Sequence, residues 1–396
     1  MNIYRRPPVL CALVFSLALA ACAQAPMHLS ESDRISLGNI GVLSTGGRPQ
    51  VDLLLPAKGP VEGAWRGAGN GVKMAIYGGL FSPIPGGVII GALLSPFFAA
   101  GGAIYGATVA LPMLWVDRGE QKLRAAAGTL QLNRLVREQA VQYALRKTRH
   151  HVVDLGARYV AMEKTPPLQT YAERHIDTLL LVEITEFATR DAAISSPFDI
   201  QIAADTRLIR VADGREIAHE HIRFTSRRRS LKIWIADDSA LFRTVAEKGA
   251  GQVGEEIVFE HLLAFHPVEK KANHQENPLI FYPSPEPVSP REDGMVFDSA
   301  AVDSLTPEFC WRPASVAFPL SDQDAYNHIS YRLRILDHSE VIHMQEGLKK
   351  HCRRIGTKLE ADTEYSWTIE AWFESASQMR ASRSMAVKFH TPAAAK

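Results

Sequence analysis

The chain has 396 residues, with 44 Lys and Arg against 43 Asp and Glu for a net charge of +1, and 46% of its residues are hydrophobic and 22% charged. A near-neutral balance excludes a general nucleic-acid binder, which needs a basic surplus. The composition is that of ordinary globular domains, and the length suits two or three of them.

Arg5 and Arg6 precede an apolar run from Val9 to Ala20, broken only by Ser16 and followed by small residues. That is the layout of a secretory signal, and about a dozen apolar residues fall short of the roughly 20 that span a bilayer. The order Leu19-Ala20-Ala21-Cys22 resembles the bacterial lipoprotein signal. The resemblance implies a diacylglyceryl group on Cys22 and cleavage that leaves Cys22 as the first residue; an ordinary secretory signal with a chance cysteine is the alternative. Ala23 and Gln24 follow, not Asp, which in that family implies transfer to the outer membrane. Lipid chains hold by burial at about 0.8 kcal/mol per methylene, so no spanning helix is required. Loss of residues 1–21 removes two arginines and no acid, turning the charge from +1 to −1. Cys11 leaves with the signal, and Cys310 and Cys352 remain in an oxidising compartment as candidates for one disulfide.

After a tether over 22–33, "RISLGNIGVLSTGG" (34–47) reads as a strand ending in a glycine turn. From Met74 to Val116 there is no charged residue, and Pro83, Pro85, Pro96 and Pro112 interrupt the stretch. Gly63, Gly67 and Gly71 are spaced by four, as are Gly87 and Gly91, and Gly102 and Gly106. Such spacing lets helices approach backbone to backbone in an apolar setting. A kinked crossing of a bilayer, a hairpin turned at Pro96, and a glycine-rich subdomain packed on the neighbouring fold all fit. Trp65 and Trp115 stand with charges at the two flanks, as a membrane interface favours. The segment 60–116 is therefore expected as a glycine-rich apolar insertion, membrane-facing or self-associating.

Helical spacing of Leu123, Leu130, Val136, Val141 and Leu145 predicts one long helix or two in tandem, with Gly128 the weak point. "HVVDLG" is a short strand, and "IDTLLLVEITEFA" has the composition of a buried one. Its Leu179, Leu181 and Glu183 share one face, Leu180, Val182 and Ile184 the other. "FDIQIAADTRLIRVADGREIAHEHIRFTSRRR" forms two strands joined by an Asp213-Gly214 turn, and a helix follows, with Asp237 or Asp238 as its expected cap. The sum over 34–265 is an α/β domain with a mixed sheet and helices. The phrases "HIDTLLLVEIT" and "RLIRVADGREI" resemble the periplasmic α/β domain of the curli-secretion lipoprotein family and the N-terminal domain of the TolB family.

Residues 266–295 are proline-rich and polar and read as a linker. Beyond them Phe309 and Trp311, then Tyr331, Leu333 and Ile335, then Tyr365, Trp367 and Ile369 recur at period two, the inward positions of an all-β sandwich. Leu359, Tyr365 and Trp367 in "LEADTEYSWTIEAWF", with "KFHT" near the end, make 296–392 resemble a fibronectin type III module. That resemblance implies a module that binds proteins or sugars and does no chemistry.

Other candidate sites have ordinary readings beside them. His219 and His221 are two apart, so on a strand they suit either a metal, with His150, His151 or His175 brought in by the fold, or a solvated face. Asp237 and Asp238 suit paired carboxylates or helix capping. Arg227, Arg228 and Arg229 with Lys232 suit anionic headgroups or a protected edge strand. "STGG" and "GAGNG" lack the residues of phosphate or dinucleotide loops, and no hydrolase elbow or zinc-protease motif is present. The expectation is a lipid-anchored periplasmic scaffold or accessory protein for envelope assembly or secretion, without cofactor or metal, facing other envelope proteins or itself and no nucleic acid. A pore-forming or membrane-inserting oligomer built through the glycine segment is the alternative, and an enzyme with a dispersed site the third.

Overall fold

The computed structural model describes residues 29, 33–34, 36–47, 49, 51–80, 87–158, 167–190, 197–264, 284–290, 300–313, 328–374 and 379–394. Cys22 lies outside them. The first sheet runs β3-β1-β4-β5-β6. β1 (Ile40–Ser44) pairs in parallel with β3 (Val152–Ala157) and with the start of β4 (Thr178–Arg190), and β2 (Val51–Leu53) pairs in parallel with the end of β4. β5 (Asp199–Arg210) and β6 (Glu216–Thr225) complete an antiparallel meander. Their turn is the Asp-Gly pair: Gly214 has φ 71°, and Asp213 Oδ1 accepts from the Arg215 N–H at 3.0 Å.

The two faces of β4 fill as the alternation requires. Leu180, Val182 and Ile184 enter the main core, under helices Met113–Thr129, Leu132–Lys147 and Ala240–Val258, whereas Leu179 and Leu181 meet Tyr171 and Ile176 on the opposite face. The long helical stretch is two helices, broken at Leu130 and Gln131, just after Gly128. Asp237 and Asp238 do not cap the next helix, contrary to expectation. With Ser239 they form a left-handed turn (φ 47°, 53° and 61°), no side chain caps the helix start, and Arg243 Nη1 donates to the Asp238 carbonyl at 2.8 Å.

Two further helices form the insertion, α1 (Gly59–Leu80) and α2 (Gly87–Val109). The three core helices are then α3 (Met113–Thr129), α4 (Leu132–Lys147) and α5 (Ala240–Val258). The insertion's two ends meet where the Gly59 N–H donates to the Leu111 carbonyl at 2.9 Å. It closes there, short of residue 116, because Val116 is fully buried in the α/β core and Trp115 packs against that core.

The C-terminal region is all-β. Among the described residues, one sheet has the order β11 (Glu340–Leu348), β10, β13, β15 (Val387–His390) and β8 (Ala300–Ala301), with β14 (Met379–Arg383) on β13, and the other has the order β12-β9-β7. β10 (His328–Asp337) and β13 (Glu364–Glu374) turn Tyr331, Leu333, Ile335, Tyr365, Trp367, Ile369 and Phe373 inward against Phe309 and Trp311 of β9 (Glu308–Arg312). Phe309 packs edge-on to Trp367 and Phe389, with centroids 5.2 and 5.3 Å apart. Part of the expected linker is structural: β7 (Glu286–Ser289) pairs with β9, and at a sheet edge Pro287 costs the ladder little.

Cys310 and Cys352 face each other across β9 and β12 (Cys352–Arg354) and form a disulfide, with Cα atoms 4.1 Å apart and a sequence separation of 42. On the chain-entropy model, closing a loop of that length contributes about 4 kcal/mol. In the chain lacking residues 1–21 and carrying Cys22→Ser, thiol titration of the unfolded, unreduced protein should find no free thiol; two reactive thiols would refute the pairing.

Candidate functional site

Two regions carry the residues whose placement asks for a function: the α1–α2 hairpin and the seam between the α/β domain and the sandwich.

In the hairpin, the glycines set how close the helices come. A Cβ on Gly63 would lie 2.2 Å from the Gly106 carbonyl oxygen, one on Gly102 2.1 Å from that of Gly67, and one on Gly71 2.0 Å from that of Phe98. No other residue fits at such a backbone approach. Each step of four up α1 is matched by a step of four down α2. The two arms therefore run antiparallel, and Pro96 lies inside α2 instead of at a turn. Gly63, Gly67, Gly71, Gly102 and Gly106 thus spend their close approach within the hairpin. The side-chain surroundings of Gly87 and Gly91 lie outside the described residues.

Charges gather at the hairpin's base. Lys58 Nζ lies 2.9 Å from Asp117 and 2.6 Å from Glu120, and Glu120 and Asp117 hold the Lys58 ammonium above its ordinary pKa. Arg66 donates to the Leu55 carbonyl at 2.6 Å and to Glu62. Among the described residues, no helix is long and apolar enough to cross a membrane, which says nothing of a β-barrel. Trp65 is exposed, as an interfacial residue would be, whereas Trp115 is partly buried against the α/β core.

The seam is built from the outward positions of the sandwich strands. Alternation on β13 sends Trp367, Ile369 and Phe373 into the sandwich and Glu370 and Trp372 out, yet both outward residues are buried, against α4 and α5. Glu370 accepts from Arg332 Nε at 2.5 Å, Arg383 Nε at 2.9 Å, Trp372 Nε1 at 3.1 Å and Arg334 Nη1 at 3.3 Å. Arg383 and Arg334 also reach Glu256 on α5, and Arg332 donates to the Tyr143 hydroxyl of α4 at 2.7 Å. Arg332 and Arg383 lie over the rings of Trp372 and Phe259, at 4.7 and 3.8 Å. Burial alone would raise the Glu370 carboxyl; the three arginines outweigh it and hold the pKa at about 2. Arg383 and Arg334 likewise hold Glu256 well below the carboxylate range against its burial. Cavities of about 320 and 350 Å³ flank this network, the first reaching His221 and Glu260, the second Gln139 and His343. Carboxylates held that low stay ionised near neutral pH and do not serve as general acids there.

The basic triplet belongs to the same seam. Arg227 pairs with Asp337 at 3.2 Å and with Glu360, and Arg229 pairs with Glu340 at 3.4 Å and stacks over Trp234. Arg228 pairs with Asp199 at 3.3 Å within the α/β domain. Neither headgroup binding nor edge protection accounts for them, because their acidic partners lie more than a hundred residues away in the sandwich or across the sheet from them. His221 Nδ1 is 2.5 Å from Asp205 and His219 Nδ1 3.4 Å from Glu216. Among the described residues, no group of three or more His, Cys, Asp or Glu is placed to hold a metal.

No family model and no curated protein matches the chain. Solved structures are similar over parts of it. Protein XCC0632 from Xanthomonas campestris is 17% identical over 32% of this chain and 58% of its own, with a TM-score of 0.22. A putative lipoprotein from Caulobacter crescentus is 14% identical over 32% of this chain and 77% of its own, at 0.19. Lipoprotein GNA1162 from Neisseria meningitidis is 14% identical over 52% of this chain and 98% of its own, at 0.17. The chain thus spans less than two thirds of the Xanthomonas protein, and overlap this slight fixes neither fold nor function.

Two outcomes test the site's construction. Gly71→Val forces the helices apart at Phe98, at a cost of about 1–3 kcal/mol to the hairpin; limited proteolysis should cut the hairpin faster with the main unfolding transition unmoved. Gly101→Ala, where nothing lies within 4 Å of the added carbon, should leave cleavage unchanged. At the seam, Glu370 has its native pKa at about 2 against 4.5 for the free group, so its contribution is complete above pH 4.5 and is lost as pH falls toward 2. Glu370→Gln should cost about 3 kcal/mol or more near neutral pH and flatten the acid limb of a pH series of thermal melts.

Proposed function

We propose that this chain is a lipid-anchored accessory protein of the bacterial outer membrane, facing the periplasm and serving envelope assembly or secretion by binding and not by catalysis. The observation that carries the reading is Leu19-Ala20-Ala21-Cys22 standing seven residues before Leu29, which is buried in the main core. Asp33 pairs with Arg210 at 2.5 Å and Arg215 at 3.3 Å. Arg34, buried, donates to the carbonyls of His261 at 3.1 Å and Ala264 at 2.7 Å, where the chain leaves α5. A lipid on Cys22 therefore holds the folded unit through a short leash.

Binding over catalysis is supported by the seam, where the buried carboxylates are committed to arginines. The sandwich, two sheets with an aromatic core, is read as the fibronectin III-like module that contacts other envelope proteins. The α/β domain is read as a relative in form of the curli-secretion and TolB domains. Metabolic labelling with a radioactive fatty acid should mark the wild-type chain in outer-membrane fractions and leave Cys22→Ser unlabelled. Label retained by Cys22→Ser would sink the reading.

A further inference from the structure

We propose that the α1–α2 hairpin is a second, non-covalent membrane attachment: the apolar side chains exposed on both of its arms enter one leaflet of a phospholipid bilayer. The charges of α1 are Glu62, Arg66 and Lys73, and α2 has none, so beyond Lys73 the hairpin carries no charge on either arm. Past Lys73, Met74 is 72% exposed, with Tyr77 and Leu94 exposed beside it, and at the level of Lys73 itself Phe97 is 76% exposed with Phe98 next to it. These side chains lie on both helices and on several sides of the hairpin. A protein groove would cover one side; the acyl chains of a leaflet cover all of them. The glycine seam is closed inside the hairpin, which leaves the apolar shell, and not backbone packing, as the surface to be covered.

The levels along the hairpin follow the order of a bilayer. Seven residues of α1 follow Lys73, to Leu80, about 10 Å of helix, which fits within half of a hydrocarbon core of about 30 Å. Helical side chains lean toward the helix N-terminus, which for α1 is the base, so the Lys73 ammonium reaches back toward the headgroups. The register places Trp65 level with Ile104 and Tyr105; Trp65 is 77% exposed and Tyr105 61%, an aromatic pair at the height where headgroups would lie. Above them sit the ion pairs of Lys58, Glu62, Arg66, Asp117 and Glu120.

On the reading that Cys22 carries lipid, the hairpin is the second attachment, and the lipid's leash is short, because Leu29, seven residues on, is already buried in the main core.

The test uses the full chain from residue 22 with Cys22→Ser, floated with vesicles of phosphatidylethanolamine and phosphatidylglycerol. It should float with them in high salt as in low, since apolar burial is not screened. Met74→Asp and Phe97→Asp should each lower the bound fraction about tenfold or more. Met385→Asp, at a position 87% exposed on the sandwich, should change nothing. Circular dichroism melts of the variants separate loss of binding from loss of fold, and Leu94→Asp repeats the test should either unfold. A chain that stays out of the vesicle fraction overturns the proposal, as does Phe97→Asp acting no more strongly than Met385→Asp. Oligomers formed without vesicles and dispersed by Phe97→Asp also overturn it, naming a second copy as the occupant. Fatty-acid labelling of Cys22 is read separately. Its absence with vesicle binding intact removes the lipid and keeps the hairpin; its presence without vesicle binding does the reverse.

Discussion

A carboxylate with no exposure to water has to find its counter-charges in protein, and Glu370 finds three arginines and an indole N–H. That requirement joins the two halves of the molecule. Arg332, Arg334 and Arg383 come from strands of the sandwich, but their second partners, Tyr143 and Glu256, belong to α4 and α5. Trp372 and Ala381 of the sandwich sit in the same apolar cluster as the α/β helices. A network of this kind gives geometry more than net stability, because desolvating the ions offsets most of their attraction. The planar guanidinium forks, bonded on several sides and stacked on rings, fix one docking arrangement.

Around this centre the remaining seam contacts are polar and peripheral. Arg227 and Arg229 reach Asp337, Glu360 and Glu340, and Lys147 reaches Glu346 at 2.9 Å. More exposed pairs of this sort contribute little each and mainly set register. The disulfide lies elsewhere, across the smaller sheet, and ties the sandwich to itself.

The hairpin stands apart from that construction. It leaves and re-enters the α/β domain at one point, Gly59 beside Leu111, and its helices pack on each other. Its stability therefore rests on backbone approach at glycines, while the domain's rests on burial under β4 and β5. A unit so joined can change its surroundings without disturbing the core. The domain supplies position and the hairpin supplies an apolar surface.

Faces and turns were legible in the sequence. Strict alternation in 178–184, 331–335 and 365–369 predicted which side chains enter a core, because a strand's period of two leaves no other choice. Asp213-Gly214 predicted its turn through the φ that glycine permits, and four-residue glycine spacing announced helices in backbone contact. With Cys11 assigned to the signal and Cys22 to lipid, two cysteines remained to pair. What a face meets was not legible. Glu370, Arg332 and Arg334 alternate with the inward residues of their strands, and only docking against α4 and α5 encloses them. The arginine triplet looked like a surface feature because its acidic partners lie far off in the chain. The Asp237-Asp238 cap failed because the backbone there turns left-handed before the helix begins, and the reversal at Pro96 gave way to the register of the glycine seam. Periodicity is a local property of one chain segment and fixes the side on which apolar groups lie. The partner of a charge is a property of two segments brought together, and tertiary packing alone decides it.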